Sequence, residues 1–268
     1  MGNTIDFSEL ARHFDGPGVR AVVLMGSMAR GDAGPYSDID LVRFKAEDVE
    51  LEPQSGSRMH ADRLVVVSDV TPAEVEAWFT EPKAAVDVIA GLRIANALID
   101  REGYFAAIQA RARAFTWDAA MQAKANHYVS REMVGWIEEV HKGLEGLRRA
   151  ADYGRLLNAR FGLTWGLSKL MAVYQGVLLT GDNAHFEQIN RAAGENSRWV
   201  RLRRIAFGVD AVAGVPPSLR QQVVAGLRLY AESAHIWADA LGESDRPLVE
   251  RAVMEIERAL QVAEFGEC

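Results

Sequence analysis

Two kinds of hydrophobic pattern run along the chain, and the change between them falls near Trp117. Before it, short apolar runs are bounded by turn residues. Val19 to Met25 is almost wholly apolar, as in a strand covered on both faces, and Ile39 to Phe44 and Arg63 to Ser68 repeat the theme. Ile5 to Phe14 carries apolar residues at helical spacing and stops at Asp15-Gly16-Pro17-Gly18. Thr71, Pro72 and Glu74 supply an N-cap, a first-turn proline and a capping-box partner for a helix through Phe79. Ala84 to Ile89 and Ala97 to Ile99 read as further strands, Lys45 to Ala61 as a polar loop, and Tyr104 to Phe115 as a helix. After Trp117, Ala, Leu, Arg and Glu recur at 3.6-residue spacing. Breaks near Asp152, Gly181-Asp182, Gly214-Val215-Pro216-Pro217 and Gly242 predict roughly five helices packed as a bundle. The expected fold class is α+β, with a sheet-containing domain over residues 1–116 and an all-helical domain over 117–268.

The 268 residues suffice for two such cores. Lys and Arg total 30 against 37 Asp and Glu, a net charge of −7. That balance argues against a broad nucleic-acid surface and suits a cationic small molecule, although ordinary solubility explains it equally well. The one cysteine, Cys268, excludes an internal disulfide or a thiolate metal cluster and fits a reducing compartment. Six histidines lack ligand spacing, which argues against zinc. No apolar run approaches the ~18 to 20 residues of a membrane span, and Met1 to Asp6 shows no leader pattern, so a soluble cytoplasmic protein without a membrane partner is expected.

The chemistry concentrates between the first two strands. Gly26 lets backbone approach a ligand closely, and Ser27 offers a hydroxyl and a helix-entry N–H to phosphate oxygens. Eleven residues after Ser27 comes Asp38-Ile39-Asp40. Residues two apart on a strand share a face, so the two carboxylates stand side by side while Ile39 enters the core. Adjacent carboxylates repel unless a cation lies between them, and hard oxygen donors call for Mg2+. Ser37 contacts phosphate or orients the loop; Arg30 binds a triphosphate or pairs with Asp32.

The segment Gly26-Ser27 with Ser37-Asp38-Ile39-Asp40 resembles the signature of the DNA polymerase beta-like nucleotidyltransferase superfamily. Within it, Gly34-Pro35-Tyr36-Ser37-Asp38-Ile39 is similar to the aminoglycoside (kanamycin) nucleotidyltransferases, with fainter similarity through Asp100 to Tyr104 and Trp136 to Lys142. The resemblance implies a small mixed sheet with the acids on its second strand. It also implies Mg2+-dependent transfer of an adenylyl group from ATP to a hydroxyl of a small acceptor, an aminoglycoside-like amino-sugar, with pyrophosphate released. A homodimer and a role in antibiotic resistance come with it. That family carries a Glu and a Lys at i, i+4 on a helix of the second domain, as base and phosphate ligand. Glu138 and Lys142 have that spacing, which is equally that of an exposed helical ion pair. The family also implies a third metal-binding acid on the strand after Asp-x-Asp. Asp62, opening the third strand with the parity of Leu64 and Val66, is the expected residue, ahead of Asp69 and Asp87. Two other functions fit the motif. One is nucleotidylylation of a protein partner. The other is a non-catalytic, antitoxin-like regulatory protein that binds nucleotide, against which the intact Asp38 and Asp40 stand.

Overall fold

The computed structural model describes residues 5–46, 54–60, 62–149 and 152–264, with side chains as far as 261. The chain divides into two compact units, Met1–Asp118 with Leu178–His185, and Ala119–Val177 with Phe186–Cys268. The short return of residues 178–185 to the first unit has no counterpart in the sequence pattern.

In the first unit, α1 (Phe7–His13) is capped by Asp6, whose carboxylate accepts from Ser8 N and Glu9 N. Five strands follow: β1 (Val19–Leu24), β2 (Ile39–Lys45), β3 (Gly56–His60), β4 (Arg63–Val70) and β5 (Asn96–Asp100). They form one mixed sheet in the order β3-β4-β2-β1-β5, in which only β2 and β4 run parallel. One face, with Ile39, Leu41, Val65 and Val67, packs on Leu10 and Phe14 at the α1 end of the core. Phe44, of opposite parity to Ile39 and Leu41, is ringed by Trp78 at 5.9 Å and Phe105 at 5.5 Å. Arg43 lies buried in ion-pair contact with Asp69, Nη1 to Oδ1 2.8 Å.

The helices α2 (Gly26–Arg30), α3 (Pro72–Thr80), α4 (Pro82–Ile94) and α5 (Tyr104–Ala114) complete this unit. The capping box of Thr71 and Glu74 forms as its residues predict. Two expectations fail. Ala84 to Ile89 is helix, not strand: Pro82 opens α4, and Ala85, Val86, Ile89 and Ala90 form a buried helical stripe while Lys83 and Asp87 pair across one turn. The polar stretch Lys45 to Ala61 contains β3, an edge strand with mostly exposed side chains, so it shows no apolar alternation; residues 47–53 and 61 of that stretch lie outside the described residues.

The second unit is helical among the described residues: α6 (Ala119–Gly135), α7 (Ile137–Arg148), α8 (Tyr153–Phe161), α9 (Leu167–Tyr174), α10 (Asp182–Ala192), whose first turn belongs to the first unit, α11 (Arg198–Ala206), α12 (Leu219–Ile236) and α13 (Arg246–Glu264). These eight replace the five expected, because several turns are shorter than the composition breaks reveal. A π-helical turn at Gly162–Gly166 joins α8 to α9. A Cβ at Gly162 would press on Glu139, and one at Gly166 would enter the Trp136 ring. Trp199 anchors the core, its Nε1–H donating to Ser233 Oγ at 2.8 Å. No helix of the described residues is long and apolar enough to cross a membrane.

Candidate active site

Strand β1 ends at Leu24, and Met25 N donates to Asp40 O at 2.9 Å, which fixes the Gly-Ser turn against β2. Gly26 has φ +63, a backbone state that glycine adopts without strain. Its missing side chain matters as well, since a Cβ there would overlap the Asp40 carboxylate. The turn therefore brings bare backbone against an acid, whereas the sequence suggested approach to a ligand. Gly31 ends α2 in the left-handed conformation, its N–H donating to Ser27 O at 3.0 Å.

The loop from Gly34 to Asp38 is tied by its own groups. Ser37 Oγ accepts from Gly34 N at 2.9 Å, so Ser37 orients the loop. Arg63 then reaches from β4 to the carbonyls of Pro35 and Ser37, at 3.2 and 3.3 Å. Arg63 drew no notice in the sequence, because an arginine opening a strand carries no signature.

Asp38, immediately before β2, and Asp40, on it, line a cavity of about 770 Å³ together with Gly26, Ser27, Arg30, Asp32, Asp182 and Asn183. Asp40 is half-buried. Burial pushes its carboxyl above the ordinary aspartate range, the neighbouring Asp38 charge pushes further, Arg30 opposes, and Asp182 adds to the rise. A positive charge placed beside the two carboxylates would offset this rise. Two neighbouring carboxylates are a hard oxygen-donor set of the kind that suits a divalent cation.

Arg30 makes the contact with Asp32, Nε to Oδ2 3.1 Å, and also donates from Nη1 to Thr180 O at 2.9 Å. Its guanidinium thus ties the 178–185 segment to the Gly-Ser turn. Leu179 N, donating to Val86 O at 2.9 Å, fastens the same segment to α4. Gly181 sits so close that a Cβ there would meet Arg30 Nη1 at 2.9 Å.

Asp62 is not brought to the pair. It lies in the turn between β3 and β4 with φ +64, and the parallel register sets Val66 beside Asp40. Asp62 is four residues from Val66, roughly 13 Å along the strand. Asp62 does not open the strand as expected, since β4 starts at Arg63 and the alternation of strand faces does not extend through a positive-φ turn. Asp69 is committed to Arg43, and Asp87 to Lys83.

In the helical unit, Lys142 Nζ lies 2.8 Å from Glu138 Oε1 and 2.9 Å from Glu139 Oε1. The Lys142 hydrogen bond holds the exposed Glu138 carboxyl below its ordinary range. Glu139 is more buried, and its Oε2 lacks a hydrogen-bond partner among the described residues.

No curated protein matches this chain. Among solved structures, a nucleotidyltransferase-like protein from Exiguobacterium sibiricum is similar at 13% identity and a TM-score of 0.49, covering 95% of this chain and 76% of that one. Residues 7–91, which span β1, the Gly-Ser turn and β2, match the family model of the nucleotidyltransferase domain.

Proposed function

We propose that the protein transfers an adenylyl group from ATP, with Mg2+, to a hydroxyl of a small cationic acceptor of the amino-sugar class. The nucleotidyltransferase domain at residues 7–91 supports nucleotidyl transfer in general. The observation that carries the reading is the Asp38–Asp40 pair beside the Gly26 turn, in a cavity that raises the Asp40 pKa. When bound, the metal ion polarises the α-phosphorus and shields the departing pyrophosphate. Asp38 and Asp40 would hold it; Ser27 would meet phosphate oxygens, and Ser37 keeps the loop in register beside them. Glu138, ionised beside Lys142, is the base proposed for the acceptor hydroxyl, and Lys142 the proposed phosphate ligand. The proton passes from the hydroxyl to Glu138, the acceptor oxygen bonds to the α-phosphorus, and the bond from that phosphorus to pyrophosphate breaks. The negative charge of the chain suits a cationic acceptor, and a homodimer is carried with the reading.

The test is incubation with ATP labelled at the α-phosphate, Mg2+ and a panel of aminoglycosides and simpler amino-sugars. Label transferred to one or more of them is expected, and lost in Asp40→Asn. Transfer to none sinks the amino-sugar reading.

A further inference from the structure

Besides Asp38 and Asp40, two acids line the cavity: Asp32, which is paired with Arg30, and Asp182, which the strand pattern did not suggest. Asp182 opens α10, and its segment is bound to the first unit by Arg30 and by Leu179. Its exposed side chain lines the same cavity as Asp38 and Asp40. On β4, where a further acid would stand beside Asp40, the register puts Val66. Asp182 is delivered by a segment about 140 residues beyond Asp40 in the chain, and that segment is held to the first unit by the Arg30 and Leu179 hydrogen bonds.

Resting on the reading of Asp38 and Asp40 as metal holders, we propose that Asp182 is the third carboxylate of that metal–nucleotide site, and that Arg30 positions it. Among the described residues no three acids or histidines stand close enough to enclose an ion directly. Asp182 therefore acts through the water shell, which magnesium keeps in part when protein-bound. Its charge adds to that of the pair where a divalent ion would sit, and its oxygens accept hydrogen bonds from coordinated water. Arg30, joined to Asp32 and to Thr180 O, fixes the backbone from which Asp182 projects.

The experiment is Mn2+ titration followed by electron paramagnetic resonance, with a non-hydrolysable ATP analogue present, on the full chain. Asp182→Asn is expected to weaken Mn2+ binding roughly tenfold or more, the scale of a lost outer-shell ligand. Asp182→Glu should recover part of the loss, and Asp62→Asn should bind as the unmodified protein does. Asp182 is exposed, so its variants should melt as the unmodified protein does, and far-ultraviolet circular dichroism checks this. If Asp182→Asn binds Mn2+ within about twofold of the unmodified protein while Asp40→Asn does not bind it, Asp182 has no part in the site. Loss on Asp62→Asn instead would return the third acid to the turn that precedes β4. If Asp40→Asn also binds normally, the underlying assignment of the metal pair fails with it.

Discussion

Gly26→Ala is the most informative single substitution, because two independent penalties meet there. The residue has φ +63, and placing a Cβ in the left-handed region costs about 1–2 kcal/mol. The new Cβ also overlaps the Asp40 carboxylate, so either β2 or the turn must shift, at a further cost of about 1–3 kcal/mol. Gly31→Ala is the matched control: φ is +80, and nothing lies within 4 Å of the added Cβ, so only the backbone penalty applies. Urea unfolding should show Gly26→Ala losing about 2–5 kcal/mol and Gly31→Ala about 1–2 kcal/mol. Mn2+ titration should show Gly31→Ala binding normally and Gly26→Ala with its affinity lost, since the displaced carboxylate is half of the proposed metal pair. Equal losses of stability in the two variants, or intact metal binding by Gly26→Ala, would refute the packing of the turn on Asp40.

Three further outcomes follow from the same structure. Because Asp40 titrates above its unfolded value, its ionisation is a cost to the metal-free fold that is present near neutral pH and disappears as pH falls through the raised pKa. Asp40→Asn should therefore melt higher than the unmodified protein at pH 7 without metal, with the gap closing on acidification; a gap that widens instead contradicts the raised pKa. Mn2+ affinity should fall over that same acidic window, as isothermal titration at stepped pH will show, because the ligand must lose its proton to bind. Arg43→Ala leaves Asp69 with one backbone donor, Gln54 N at 3.1 Å, in a nearly sealed site, and should cost about 3–5 kcal/mol in urea unfolding. A loss below about 1 kcal/mol would show that water reaches Asp69.

Where the sequence could be read, local chemistry was enough. The strand–turn–strand from Val19 to Lys45 needs only apolar runs, a glycine and two acids with a period of two, and the structure keeps all of these at the expected places. The capped helix at Thr71 is legible for the same reason. What escaped depends on pairing across distance. The register that puts Val66, and not Asp62, beside Asp40 is set by β2 and β4 together. The 178–185 segment reads only as a helix break, since nothing in Gly181-Asp182 announces a return to the first unit. Residues Ala84 to Ile89 misled because a short apolar run fits strand and buried helix alike, and Pro82, two residues earlier, was the cue to weigh. Glu138 and Lys142 show the opposite difficulty, because an i, i+4 pair looks the same whether it serves chemistry or merely solvates a helix.

The most direct measurement is calorimetric titration of a non-hydrolysable ATP analogue into the unmodified protein and Asp40→Asn, each with Mg2+ and with chelator. Tight binding that requires both Mg2+ and Asp40 is the predicted result; equal binding in all four titrations would contradict the assignment of Asp38 and Asp40 as the metal-holding pair of a nucleotidyltransferase site.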